Sequence, residues 1–214
     1  MLSMTSKLGC HSWSLQAWDD CPGSVDPKTG EAVDACKFCY ARQGFYHMPS
    51  VKLKRLTNKI DWQESDWVSR MVDSLSKETH FRWFDSGDMY SLSLAEKIYA
   101  VMQQTSHVKH WLPTRMHKFD KFKPIIWDMQ QLPNVVVRLS SDSVSGEVLT
   151  NTMTSSTIIP TKEFEIDAYK CPAYSQGGKC LDCRACWDKS VHVIAYVYHG
   201  KQLGKVIKIN QVRS

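Results

Sequence analysis

Eight cysteines fall into two groups near the two ends of the chain, and none lies between residues 40 and 170. The N-terminal group is Cys10, Cys21, Cys36 and Cys39, and the C-terminal group is Cys171, Cys180, Cys183 and Cys186. A secreted scaffold held by disulfides would be shorter and would scatter its cysteines along the chain. We therefore expect reduced thiols that are free to bind metal.

The C-terminal cysteines have the spacing of an iron–sulfur ligand set. Cys180, Cys183 and Cys186 follow one another at intervals of three residues, and Cys171 supplies a fourth thiol. Three thiolates in one tight run suit the corners of a 4Fe-4S cubane, as in the C-x2-C-x2-C run of ferredoxins. Structural zinc more often uses two separated cysteine pairs. Zinc stays open as the alternative metal at this site, and simple buried thiols are a third interpretation.

The N-terminal cysteines suggest a second cluster with an open coordination position. Cys21, Cys36 and Cys39 come from two loop segments on either side of a turn-rich insert, residues 26–30, which we expect to form a surface hairpin. Three thiols can hold three irons of a cubane, and an open metal position is what makes a metal site chemically active. Cys10 is the doubtful member: as a ligand it would close this cluster, and we favour the interpretation that it is a small buried hydrophobe.

Composition limits the class of protein. Of 214 residues, 43% are hydrophobic and 23% are charged, which predicts one packed domain with at most a small appendage and excludes wholesale disorder. The net charge of +5 permits contact with nucleic acid without requiring it, because the basic residues are spread out. No apolar stretch approaches the roughly 20 residues of a membrane span. The first seven residues lack a signal-peptide core, so we expect a cytoplasmic protein with no membrane partner.

Strands and helices are predicted to alternate along the chain. The predicted strands are 11–18, 80–85, 108–112, 134–140, 154–159 and 192–198, and the predicted helices are 62–77, 93–104 and 117–131. Asp61 is expected to cap the first helix, and Ser93 with Glu96 to form a capping box on the second. This alternation indicates an α/β protein with parallel β/α units, and the length fits a partial (β/α) barrel of about five or six units. We expect the barrel to span residues 1–165 and a Cys-rich extension to span 166–214.

Polar residues follow several of the predicted strands, where such folds carry their chemistry. The candidate catalytic residues are Asp85, Arg115, Arg138 and Asp142. Structural roles are open for the same side chains, because the aspartates could cap turns and the arginines could be solvated or ion-paired. His117 and His199 are expected at the surface and not among the metal ligands.

The N-terminal motif resembles that of radical S-adenosylmethionine enzymes, in which C-x3-C-x2-C carries an aromatic residue just before the last cysteine. Phe38 takes that position here, while fourteen residues separate Cys21 from Cys36 instead of three. A closer resemblance, over nearly the whole chain, is to the "gene product 88" family of phages and other mobile elements. The segments that show this resemblance are Ser6-Lys7-Leu8-Gly9, Trp13-Ser14-Leu15, Cys21-Pro22-Gly23, Cys36-x2-Cys39-Tyr40-Ala41, the run from Arg82 to Asp88, Cys171-Pro172-Ala173, and the run from Cys180 to Trp187.

The resemblance implies a radical-SAM-like barrel with two 4Fe-4S clusters. Cys21, Cys36 and Cys39 would hold the first cluster, and the C-terminal cysteines an auxiliary one. Ser86, Gly87 and Asp88 would lie where radical-SAM proteins bind the amine and carboxylate of S-adenosylmethionine, and Phe38 would be a further cofactor-binding residue. The implied enzyme would cleave S-adenosylmethionine to modify a nucleotide, nucleic acid or protein, with a reductant such as flavodoxin or ferredoxin, in the host cytoplasm if a phage encodes it.

A second function fits the same motifs. A non-enzymatic iron–sulfur protein would use its clusters for stability or redox sensing and its surface to bind a host protein or nucleic acid. The small size, the long first cysteine gap and the missing Gly-Gly-Glu after the second strand favour this alternative. A zinc-stapled binding protein is the third.

Overall fold

One sheet of eight strands organises residues 1–42 and 44–198, the part of the chain that the computed structural model describes. The strands are β1 (Ser3–Thr5), β2 (Cys10–Trp13), β3 (His80–Trp83), β4 (Lys109–Thr114), β5 (Val135–Ser140), β6 (Ser155–Ile159), β7 (Tyr169–Lys170) and β8 (Val193–Val197). Their order in the sheet is β1-β2-β3-β4-β5-β6-β8-β7. β1 and β2 are antiparallel, and every other neighbouring pair is parallel.

Helices accompany the sheet. They are α1 (Asp34–Lys37), α2 (Pro49–Asp61), α3 (Trp67–Leu75), α4 (Leu92–Gln104) and α5 (Lys123–Gln131). Of these, α3, α4 and α5 contribute to the apolar core on one face of the sheet. Trp67, Met71 and Leu75 recur every four residues on α3 and are fully buried. They join one apolar core with Trp13 of β2 and Trp83 of β3. The rings of Trp13 and Trp67 meet edge to face at 5.4 Å.

The opposite face of the sheet is covered by the C-terminal cysteine segment. Successive strand residues point to opposite faces, so Trp111 of β4 faces away from its neighbour Leu112, which lies in the helical core. Trp111 joins a second apolar cluster that contains Cys180 and Trp187. The rings of Trp111 and Trp187 are 5.3 Å apart, and the Trp187 indole N–H donates to the Phe81 carbonyl (2.9 Å).

The predicted α/β class and parallel pairing are confirmed. Within the described residues no pairing joins β1 to β7, so these residues form a mostly parallel sheet whose closure into a barrel is not shown. The predicted boundary at residue 165 falls between β6 and β7, which are strands of the same sheet. The remainder of the predicted extension, residues 199–214 with His199, lies outside the described residues. No helix in the described part of the chain has the length and apolar character to cross a bilayer.

Three helix boundaries differ from the sequence prediction. Asp61 is the last residue of α2 and not the cap of the next helix, which begins at Trp67. The N-cap of α4 is Ser91, two residues before the predicted cap at Ser93. The Ser91 side chain accepts the Leu94 N–H. α5 begins at Lys123, since proline fits the first turn of a helix and interrupts its interior.

Candidate metal centres

A hairpin returns the chain from Cys21 to Cys36. The backbone turns after Cys21 in a 3-10 helix, Pro22–Ser24, and an isolated bridge then pairs Val25 with Ala32. The Val33 N–H donates to the Ser24 carbonyl (3.0 Å), which sets α1 beside the Cys21 loop. The fourteen residues between Cys21 and Cys36 therefore fold out as the hairpin that the sequence predicted, and the two segments meet at its base.

Three thiols lie together at this base. Burial raises the pKa of the Cys21 thiol to about 12, with smaller increases from the Asp88 carboxylate and from the thiols of Cys36 and Cys39. Burial also raises the pKa of the Cys36 thiol. The Arg115 charge lowers that pKa, and the Cys39 thiol raises it further. Cys39 follows directly, because its N–H donates to the Cys36 carbonyl (3.2 Å). Cys21 and the Cys36–Cys39 pair therefore lie on the two segments that meet at the base of the hairpin.

Two cations and one carboxylate hold both cysteine segments in place. Asp142 accepts from Lys118 at 2.9 Å and pairs with Arg115 at 3.3 Å. Lys118 also donates to the Gly23 carbonyl (2.8 Å), and the Asp142 carbonyl accepts the Ala35 N–H (2.9 Å). A Cβ on Gly23 would lie 2.5 Å from the Arg115 Cβ, so glycine permits this close approach. Arg115 and Asp142 were predicted; Lys118 was missed, since only the fold brings it to the hairpin.

Ser86, Gly87 and Asp88 make internal contacts at the ends of the strands. The buried Asp88 carboxylate accepts from the Thr114 hydroxyl (2.8 Å) and the Arg115 N–H (2.9 Å), and burial raises its pKa. The Ser86 hydroxyl donates to the Leu15 carbonyl (2.6 Å). Gly87 has φ +79°, and a Cβ there would lie 2.6 Å from the Leu15 Cβ. These three residues therefore join the carboxyl ends of β2, β3 and β4.

Asp85 is part of a polar cluster that sequence reasoning missed. Its carboxylate accepts from the Ser14 hydroxyl and pairs with Arg55 of α2 at 3.3 Å. The Tyr40 hydroxyl donates to the Asp85 carbonyl (2.8 Å). The only local signal for α2 was Pro49, a residue favoured in the first turn of a helix. Arg55 could not be assigned to Asp85 without that helix.

The C-terminal cysteines lie on successive tight turns. The Cys171 N–H donates to the Ala195 carbonyl of β8 (2.9 Å), and the Cys180 N–H donates to the Lys7 carbonyl (2.8 Å). The Cys183 N–H donates to the Cys180 carbonyl (2.9 Å), and Cys186 lies in the 3-10 helix Ala185–Trp187. Backbone hydrogen bonds to β8 and to the turn between β1 and β2 thus fix this segment.

Four thiols and two phenols are neighbours in this segment. Burial raises the pKa of Cys186 to about 11 and also raises that of Cys180, and in both cases the Cys171 thiol adds to the increase. The Tyr196 hydroxyl lies 3.3 Å from the Cys186 sulfur. The hydroxyl of Tyr169 similarly lies 3.5 Å from the sulfur of Cys183. Hydroxyls in these positions can donate to thiolates.

Arg138 is completely buried against the same segment. Its guanidinium donates to the carbonyls of Ala185 (2.8 Å), Asp188 (2.9 Å) and Val191 (2.8 Å), and its Nε donates to the Cys186 carbonyl (3.1 Å). Burial lowers its pKa. We expected this side chain at the mouth of a barrel; the structure places it under the turn that presents Cys186.

Cys10 lies with the C-terminal segment and not with the N-terminal thiols. It is 7% exposed and belongs to the apolar cluster of Cys180 and Trp187. Burial raises the pKa of the Cys10 thiol, and the nearby Arg82 charge lowers it by a smaller amount. Cys10 begins β2, whereas the Cys21 loop follows the other end of that strand. The N-terminal site therefore brings together three cysteines.

Both cysteine groups consist of thiols, the usual side-chain donors of iron–sulfur clusters. All eight cysteines belong to the described residues, and none forms a disulfide. Within residues 1–42 and 44–198, no group of three or more His, Cys, Asp or Glu side chains has an arrangement that could hold a metal ion. Ligands of one zinc ion converge on a single atom at about 2.3 Å, whereas cubane ligands bind separate irons.

Fold and site together define an α/β protein with a mostly parallel sheet and two groups of free cysteines. The family model described as Gene product 88 matches residues 3–189, and the chain therefore belongs to the gene product 88 family. No curated protein and no solved structure matches the chain.

Proposed function

We propose that this protein binds two iron–sulfur clusters, one at Cys21, Cys36 and Cys39 and the other at the four C-terminal cysteines. The hairpin that returns Cys36 to the Cys21 loop carries the proposal, because it brings Cys36 and Cys39 back to the loop of Cys21 across the fourteen intervening residues. A buried thiol with a raised pKa gives up its proton when a metal takes its place. The C-terminal set would be an auxiliary cluster, with zinc as the alternative metal.

The unequal ligand numbers support a radical-SAM-type reaction. Three cysteines would hold the cluster and would leave one iron without a protein ligand, since Cys10 lies with the other group. A bound cluster of this kind supplies the electron that cleaves S-adenosylmethionine in radical-SAM enzymes. In this chain the Arg115–Asp142–Lys118 network would hold the cysteine loops in place. Phe38, next to Cys39, is exposed. The substrate would be a nucleotide, nucleic acid or protein, and a flavodoxin or ferredoxin in the host cytoplasm would be the reductant.

One observation favours the non-enzymatic alternative. Ser86 and Asp88, which the resemblance assigns to cofactor binding, use their side chains in hydrogen bonds to Leu15, Thr114 and Arg115. If these bonds persist with S-adenosylmethionine present, the clusters would serve stability or redox sensing, and the surface would bind a host protein or nucleic acid.

Product analysis separates the two functions. Anaerobically purified protein is reduced and mixed with S-adenosylmethionine, and 5′-deoxyadenosine is measured by chromatography. We expect release by the wild type and by Cys10→Ala, because Cys10 lies outside the three-cysteine site, and none by Cys36→Ala. Brown protein that releases no 5′-deoxyadenosine would support the non-enzymatic function. Colourless protein with stoichiometric zinc would contradict both.

A further inference from the structure

An open cleft of about 210 Å³ lies between the Cys21 loop, the turn after Cys39 and helix α2. Neither cysteine group lines it. Trp18 and Arg42 come from the two cysteine loops, while Lys52 and Arg55 come from α2, and Tyr46 lies between them in the chain. The cleft thus combines aromatic rings with cations.

Each aromatic ring of the cleft is paired with a guanidinium. The Arg42 guanidinium carbon lies 4.5 Å from the centre of the Trp18 ring, and that of Arg55 lies 4.8 Å from the centre of the Tyr46 ring. The Trp18 side chain is exposed, so part of its surface is free to meet a ligand. Nucleic-acid bases stack on aromatic rings and on guanidinium planes of this kind.

The charge of the cleft favours an anion. Arg42 and Lys52 are exposed, and no ion pair involves either of them within the described residues. Arg55 is already paired with Asp85. Asp19 is the single carboxylate among the lining residues, all of which are described. Arginine and lysine are the side chains that hold phosphate groups.

The backbone at Trp18 is held in an unfavourable conformation. Its φ is +74°, in the left-handed region that bulky residues rarely adopt. The Trp18 carbonyl accepts the Cys21 N–H (3.2 Å), so the same turn presents the indole to the cleft and begins the cysteine loop. Strained residues of this kind concentrate at ligand sites.

We propose that this cleft binds a nucleotide, with the base stacked against Trp18 and the phosphate held by Arg42 and Lys52. The free cations match phosphate and do not match the sulfonium of S-adenosylmethionine. The site is built from protein side chains alone, so it does not depend on a metal. Its position beside Cys39 would place a nucleotide next to the three-cysteine site.

Calorimetric titration of the full-length protein with 5′-AMP tests the proposal, with adenosine and inorganic phosphate as partial probes. We expect 5′-AMP to bind more tightly than either partial probe. Its affinity should fall as the salt concentration rises. A ten-residue oligodeoxythymidylate distinguishes a single strand from a free nucleotide as the source of the same chemistry. Tighter binding of the oligonucleotide, with the same dependence on the cleft residues, identifies a single strand.

Variants of the cleft decide the outcome. Trp18→Gly removes the ring while glycine accepts the positive φ, and Arg42→Ala removes the guanidinium; each should weaken 5′-AMP binding by about tenfold or more. Lys28→Ala removes an exposed cation from the hairpin, outside the cleft, and should change nothing. Failure of both 5′-AMP and the oligonucleotide to bind, or binding that survives both cleft variants, overturns the proposal. Iron and sulfide analysis of the same samples tests the clusters separately.

Discussion

Replacing Arg138 by methionine should destabilise the protein and release the C-terminal cysteine segment. The arginine is completely buried, and its guanidinium donates to carbonyls on both sides of Cys186. Methionine fills much of the same space and donates no hydrogen bond, so the carbonyls of Ala185, Asp188 and Val191 lose their partner.

The magnitude follows from the number of bonds lost. A hydrogen bond to a charged group contributes about 1.5–3 kcal/mol, and an unpaired buried group costs about 1–3 kcal/mol. The variant no longer incurs the desolvation cost of burying the Arg138 charge. The summed contribution of its four hydrogen bonds is therefore an upper limit on the loss of stability. We expect a loss of about 3–5 kcal/mol, which is a large part of the roughly 5–15 kcal/mol that stabilises a domain.

Urea unfolding followed by fluorescence measures this loss. Arg70→Met is the matched control, because Arg70 is about one-third exposed and pairs with Asp61 and Asp66 at the surface. Surface pairs of this kind contribute about 0–1 kcal/mol. An equal loss of stability in the two variants, or a loss below about 1 kcal/mol for Arg138→Met, would refute the structural role assigned to Arg138.

Three further changes test other parts of the structure. Gly87→Ala should lower the melting temperature more than Gly30→Ala, because both glycines have positive φ but only the added methyl at Gly87 meets another side chain; equal shifts would contradict this. Burial lowers the pKa of His110 to about 3, so the stability present above about pH 6.5 should be lost as the pH falls toward 3. The urea midpoint should therefore depend less on pH in His110→Gln than in the wild type, and an equal dependence would contradict this role of His110. If the proposed C-terminal cluster is bound, Tyr196→Phe should make its reduction potential more negative, because the Tyr196 hydroxyl lies beside the Cys186 sulfur. The control is Tyr198→Phe, since the Tyr198 hydroxyl has no partner in the described residues; equal potentials of the two variants in voltammetry would exclude this contribution.

Six of the eight strands in the described residues and their parallel pairing could be predicted because they depend on local pattern, whereas the short β1 and β7 were missed and the strand predicted over 11–18 ends at Trp13. The valine run of β5 and the Trp67, Met71 and Leu75 face of α3 are visible in the sequence. Helix α2 could not be found in this way, because its apolar residues Leu53 and Ile60 are exposed and its inner face carries polar contacts. An apolar pattern predicts a helix only where the apolar face is the buried one.

The sequence indicated which residue types form the candidate site, but much of their spatial arrangement could not be predicted. The spacing of the cysteines separated two groups, and the turn residues of the insert predicted the hairpin between Cys21 and Cys36. The position of Cys10 depends on which end of β2 meets the C-terminal segment, which is a long-range contact. The contacts of Arg138 with residues 185–191 are equally remote in the sequence. Such contacts are set by packing between elements and leave no local signal.

Iron and acid-labile sulfide analysis of anaerobically purified wild type, Cys36→Ala and Cys183→Ala tests the central proposal most directly. Two cubanes predict about eight irons and eight sulfides in the wild type and about half as many in each variant, because each variant disrupts one of the two sites. A wild type with no iron, or variants that keep the full wild-type content, would contradict the two-cluster account.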